Sequence, residues 1–205
     1  MKFFDYDSAF YKALRIISDT ALICLLWLLT SLPLITIGAS TTAAFYVMTR
    51  RISNMEYSIL MDFFRSFKQN FPKATLVFCG ILALSALNLF YIFFVRIPGT
   101  IGTVLFAFQF FFAVEMLFIY IHMFPFIARF DMPLIQLIKT VVLMANRHII
   151  ISLLHVIIIA GLALICILMP VLLLFAFGVY CLLSSYLLIK VYRKYRPDMD
   201  TEFPE

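Results

Sequence analysis

Charge is scarce in this chain: Asp, Glu, Lys and Arg together make up 13% of 205 residues, about half the usual share for a soluble domain. Catalytic signatures are missing as well. There is no phosphate-binding P-loop, no HExxH zinc motif, no GxSxG nucleophile elbow and no pair of carboxylates spaced for acid/base work. The polar segments are too small to hold a catalytic domain, so an enzyme is not expected and no catalytic residue is named. The four cysteines, Cys24, Cys79, Cys166 and Cys181, lie inside apolar runs with no CxxC spacing and no nearby histidine pair. Neither a metal site nor a disulfide framework follows, and no cofactor is expected.

What is present is apolar: 64% of residues are hydrophobic and the mean hydropathy is +1.05. A water-soluble core of this size would leave much of that surface uncovered, so lipid is the expected solvent. The net charge of +5 would suggest nucleic acid if the cations formed a stripe. They punctuate apolar runs instead, and nucleic-acid binding is not expected.

The placement of those cations gives sidedness. Lys2, Lys12 and Arg15 precede the first apolar run, and Arg50, Arg51, Arg65, Lys68 and Lys73 fill one connection. Arg129, Lys139 and Arg147 fill another, while Lys190, Arg193, Lys194 and Arg196 form the tail. Threaded as alternating crossings, all of the 16 Lys and Arg except Arg96 share one side. Short basic loops stay in the cytoplasm, so both termini are expected there, in a polytopic all-α membrane bundle. Residues 42–44 loosely imitate a signal-peptide cleavage site, but the apolar stretch before them is long for such a peptide and further spans follow.

A crossing needs about 20 helical residues. The expected segments are 16–34, 38–50, 74–95, 101–127, 149–169 and 171–189, with the last two turning back at Pro170. Segment 38–50 is short for a crossing, which leaves five crossings as the alternative to six; six keeps the basic residues together. Pro33, Thr36 and Gly38 mark a helix break, read either as an ordinary turn or as a site offering helix-end groups to a ligand.

Ser53 and Glu56 have capping-box spacing, and an amphipathic helix is expected over 54–71 along the inner leaflet. Phe63, Phe64, Phe67 and Phe71 occupy its apolar face, as a lipid anchor or as a docking surface for a partner such as a transporter subunit. A second copy of this device is suggested by laying 55–70 on 131–146, with Asp131 as N-cap and Pro133 in the first turn.

Glu115 stands near the middle of 101–127, where a carboxylate is costly. It is read as a proton, cation or sugar-hydroxyl site, or as a protonated side chain bonded to Asn88 or Gln109. His122, two turns on, offers a short relay with it or plain packing glue. His155 is read as a structural residue. Tyr192 and Tyr195, beside Lys190, Arg193 and Lys194, are expected to anchor the tail at the interface.

The run Leu32, Pro33, Leu34, Ile35, Thr36, Ile37, Gly38, Ala39, with Asp62, Phe63, Phe64, Arg65, Ser66, Phe67, Lys68, Gln69, Asn70 and Phe71, resembles the YesL-like family of small bacterial integral membrane proteins. That resemblance implies a Gram-positive-type plasma membrane and a setting of carbohydrate uptake and breakdown. It supplies no activity. The functional expectation is an accessory or scaffold component of a carbohydrate uptake system; the alternative is a small carrier with an intramembrane site around Glu115.

Overall fold

The computed structural model describes residues 9–53, 55–95 and 97–195, without the side chains of Ala9, Leu174, Lys194 and Tyr195. Lys2, Arg96 and Arg196 of the sidedness pattern lie outside the described residues, as do the side chains of Lys194 and Tyr195. The described chain is helical throughout: α1 Ala9–Thr30, α2 Ile37–Ile52, α3 Ile59–Phe94, α4 Gly99–Arg129, α5 Leu134–Arg147, α6 Ile149–Leu168 and α7 Leu173–Tyr195. Short 3-10 turns at Leu34–Thr36 and Pro170–Leu172 join α1 to α2 and α6 to α7. The second lies where Pro170 was expected to reverse the chain.

Five of these helices, α1, α3, α4, α6 and α7, are long and apolar enough to cross a membrane. They make this a membrane protein with a polytopic helical bundle. The expected segment 38–50 is α2, which at 16 residues spans only about 24 Å. It runs antiparallel to α1, for Trp27 Nε1 donates to Thr41 Oγ1 (3.1 Å) and, farther along, Arg51 pairs with Asp19 (2.8 Å). The chain therefore returns to the end from which α1 departs. Arg50 approaches Asp62 at that same end (3.6 Å), where α3 begins.

α2 is the axis of the bundle. All residues from Gly38 to Thr49 are buried, and Ala39, Ala43, Phe45, Val47 and Met48 share one apolar cluster with Phe63, Ala74 and Phe78 of α3, Phe124 and Ile127 of α4 and Leu188 of α7. Small side chains permit this. A methyl group at Gly38 would lie 2.6 Å from the Ala74 carbonyl oxygen, so backbone meets backbone there. Gly178 does the same for α7 against Thr20 of α1, at 2.8 Å.

Three expectations for the connections are corrected. First, the separate interfacial helix over 54–71 is instead the first part of α3, a single helix of 36 residues that continues through Pro72. A proline removes one N–H but need not break a helix held by its neighbours, and Ala74, just beyond it, is locked against Gly38. Second, Ser53 is the C-cap of α2 rather than the start of a capping box; Asp62 Oδ2 instead accepts the backbone N–H of Ser58, the residue that opens α3 (3.0 Å). Third, Pro133 rather than Asp131 occupies the N-cap of α5, because Asp131 Oδ1 is taken by Lys73 Nζ at 2.6 Å.

The break between α5 and α6 carries no proline. It falls at His148 (φ −112°, ψ 45°), and Ser152 Oγ ties the corner by donating to the Ala145 carbonyl (3.0 Å). At the other end of the bundle Gly99 takes φ +85°, which a side chain disfavours, and opens α4.

Candidate functional site

The polar residues expected to form one intramembrane site are divided among three. Asn88 of α3 donates from Nδ2 to Gln109 Oε1 of α4 (2.5 Å), which ties the two helices together. Glu115 Oε1 accepts from Asn146 Nδ2 of α5 (2.5 Å). Its partner is thus neither Asn88 nor Gln109, as expected, but a residue at the end of the connector that precedes α6.

His122 faces elsewhere. Its ring lies 5.7 Å from that of His155 on α6, and His155 Nε2 meets Ser184 Oγ of α7 at 2.8 Å. Both Nδ1 atoms contact a carbonyl four residues back, Phe118 for His122 (3.0 Å) and Ile151 for His155 (2.8 Å). In the neutral rings those carbonyls place the proton on Nδ1, so His155 Nε2 accepts from the serine hydroxyl. His122 Nε2 is buried with no hydrogen-bond partner among the described residues. The Glu115 to His122 relay is therefore replaced by a histidine pair that three helices assemble. No spacing along one helix foretells it, and reading His155 as a lone structural residue misses its partners.

The helix break is closed by its own turn. Thr36 Oγ1 lies 2.5 Å from the Thr30 carbonyl and 2.6 Å from that of Pro33, covering the end of α1. Gly38 is buried against α3. Leu32, Leu34 and Ile35 instead project outward from this turn.

The phenylalanine face is divided in the same way. Phe63 is fully buried and stacks on Phe67, which contacts Phe71 in turn, whereas Phe64 is 51% exposed. Two of the four expected docking residues, Phe63 and Phe67, hold α3 to the bundle. Exposed Leu60 and Met61 join Phe64 on the outside.

A second polar centre, missed from sequence, lies at the cationic end. Asp19 Oδ2 accepts from Arg51 Nε (2.8 Å) and from the Tyr57 hydroxyl (2.7 Å), and the guanidinium of Arg15 lies over the Tyr57 ring (5.6 Å). Burial, and after it the Asp19 carboxylate that takes its hydrogen bond, raise the Tyr57 phenol above its ordinary value against the opposing charges of Arg15 and Arg51. Beside it Arg50 donates to the Tyr46 hydroxyl (3.2 Å) and the Glu56 carbonyl (2.7 Å). A carboxylate at Asp19, in the first turn of the apolar run 16–34, was the available sequence signal.

Over residues 20–92 the chain matches the model of a family described as a protein of unknown function, DUF624. The match covers less than half of the chain, from Thr20 of α1 almost to the end of α3, and includes both quoted runs. It is thus a likeness from Thr20 of α1 into α3, which contains Arg51 and Tyr57 of the Asp19 centre but begins one residue after Asp19 itself. No curated protein matches the chain, and no solved structure does.

Proposed function

We propose that this protein is a non-catalytic accessory or scaffold component of a carbohydrate uptake system in a bacterial plasma membrane, akin to the YesL-like proteins. Both termini and the cationic end face the cytoplasm in this reading, in accord with the positive-inside rule. The observation that carries it is the length of α3. Its 36 residues extend about 54 Å, against roughly 30 Å of hydrocarbon, so a substantial part of the helix projects beyond the apolar layer. Phe63 and the Arg50 and Asp62 contact hold that projection to the bundle, while Leu60, Met61 and Phe64 stay exposed on it. A rigid helix with an apolar outer stripe is a suitable docking element for a transporter subunit.

The test is to co-purify the full chain with the carbohydrate-transporter subunits of its own cell. The Met61→Glu, Phe64→Glu double variant should lose them while keeping its melting temperature in detergent, since both side chains are exposed. An unchanged set of bound subunits would refute the docking role. The carrier alternative draws less support, because Glu115 and the 33–42 turn have separate partners; flux in vesicles that Glu115→Gln abolishes would restore it.

A further inference from the structure

We infer that a groove between α3 and α4 binds a neutral lipid whose head carries carbonyl oxygens, of the isoprenoid quinone class. Its volume is about 250 Å3, and its walls are apolar, chiefly Ile81, Leu89, Met116 and Leu117. Three uncharged polar residues interrupt them: Ser85, Asn88 and Tyr120. These positions stand near the centres of the apolar runs 74–95 and 101–127, which sets the groove deep in the hydrocarbon. Leu89 and Leu117 are exposed, so it opens to lipid.

Hydrocarbon offers no hydrogen bonds, so a polar group at this depth needs a partner in the protein or in a ligand. Asn88, only 6% exposed, has one in Gln109. The hydroxyls of Ser85 and Tyr120 hydrogen-bond to no other described residue, whereas those of Ser40, Thr42 and Ser152 each donate to a backbone carbonyl. Two donors without acceptors on one groove call for a ligand with acceptor oxygens, and a quinone carbonyl accepts without donating. No Lys, Arg, Asp or Glu lines the groove, which disfavours an ionised head. A phospholipid reaches this depth only with its acyl chains, which carry no acceptor, because its headgroup and esters stay at the interface. A quinone is uncharged, and its head can enter the hydrocarbon. The volume is at the small end for a ligand pocket, suited to one or two rings with the isoprenoid tail left in lipid.

The experiment uses the purified full chain in neutral detergent, loaded with a short-tailed menaquinone, a diacylglycerol or phosphatidylglycerol, and bound molecules are counted by native mass spectrometry. Menaquinone should be retained in preference to both lipids. Ser85→Ala with Tyr120→Phe should weaken it about twenty-five-fold, roughly fivefold for each hydroxyl lost. Tyr120→Phe keeps the ring and its contact with Phe124, so the melting temperature should hold. Ser85→Ala alone gives the smaller step should the double variant lose its fold. Ala113→Phe fills the groove and should abolish binding. Thr140→Val removes a hydroxyl that already donates to the Gln136 carbonyl of α5, and should change nothing. Menaquinone retention that survives loss of both hydroxyls, or equal loss in the Thr140 control, overturns the site. Diacylglycerol bound as well as menaquinone through the same hydroxyls would assign the groove to ester carbonyls and overturn the quinone.

Discussion

The helices α2 and α6 are of similar length, 16 and 20 residues, and their surroundings are opposite. α2 reads GASTTAAFYVMT where it is buried, and every one of those residues is hidden. α6 is almost wholly Ile, Leu, Val and Ala, yet its only buried residues are Ser152 and His155. In water the hydrophobic effect would reverse this assignment. In lipid the tails are as apolar as leucine, so burial goes to the helix that packs closest and to the polar groups that need partners. The hydroxyls of α2 have them: Ser40 donates to the Thr36 carbonyl and Thr42 to that of Gly38, both at 2.9 Å, and Thr41 receives the Trp27 N–H.

The strongest way to break this contrast is to place the same residue in both helices. Gly38→Leu drives a side chain into the Ala74 carbonyl and Phe78, and should cost more than about 3 kcal/mol or abolish the fold. Gly161→Leu on α6 meets nothing within 4 Å and should be neutral, or stabilising by up to about 1 kcal/mol because glycine disfavours a helix. Thermal unfolding in detergent compares the two. Equal effects would mean that α2 is not the tightly packed axis.

A charge on the outside of α6 tests the solvent itself. Ile157 is 65% exposed. If it faces lipid, Ile157→Arg should cost about 2.5–3.5 kcal/mol of insertion free energy near the centre of a span. A glycosylation-based insertion assay measures this; no loss would place α6 against water or a polar partner.

At the Asp19 centre the contrast narrows, because the group buried there is charged. Arg51→Gln leaves the carboxylate with the Tyr57 hydroxyl alone. Removing one partner of a fully buried pair costs about 3–5 kcal/mol, and the residual exposure of these side chains, 10% and 13%, lowers the expectation to about 2. Adding Asp19→Asn should recover most of the loss. Chemical denaturation in micelles, as a double-mutant cycle, provides the coupling.

How far the sequence foretold these features depended on whether the signal lay along one helix or between several. The apolar runs 101–127, 149–169 and 171–189 lie along α4, α6 and α7, because in a membrane the length of such a run is itself the constraint, although α4 extends two residues beyond its run at each end and α7 continues to Tyr195. The burial of α2 was not legible. Hydropathy marks 38–50 as a weak span, and the close approach at Gly38 exists only once Ala74 stands opposite. Pro72 reads as a boundary but is carried inside α3, whereas the break at His148 has no proline or glycine to announce it. The face of 63–71 was visible from its spacing, but which phenylalanines turn inward was decided by α2 and α4. Glu115 and His122 were found as costly residues, and their true partners, Asn146 and His155, come from other helices, which periodicity cannot reveal.

The smallest expected effect marks where lipid rules yield to aqueous ones. Lys73 Nζ bridges to Asp131 Oδ1 at 2.6 Å and also donates to the Met132 carbonyl (3.0 Å), joining α3 to the link between α4 and α5. The geometry is close, but the Asp131 side chain is 77% exposed. Water solvates that carboxylate whether or not the lysine is near, so the pair should contribute less than about 0.5 kcal/mol. Lys73→Ala should therefore shift the melting temperature in detergent only slightly, and molar salt should shrink the difference further by screening. A loss above about 1.5 kcal/mol that resists salt would mean that the bridge is shielded from water, and that the apolar environment reaches as far as the start of α5.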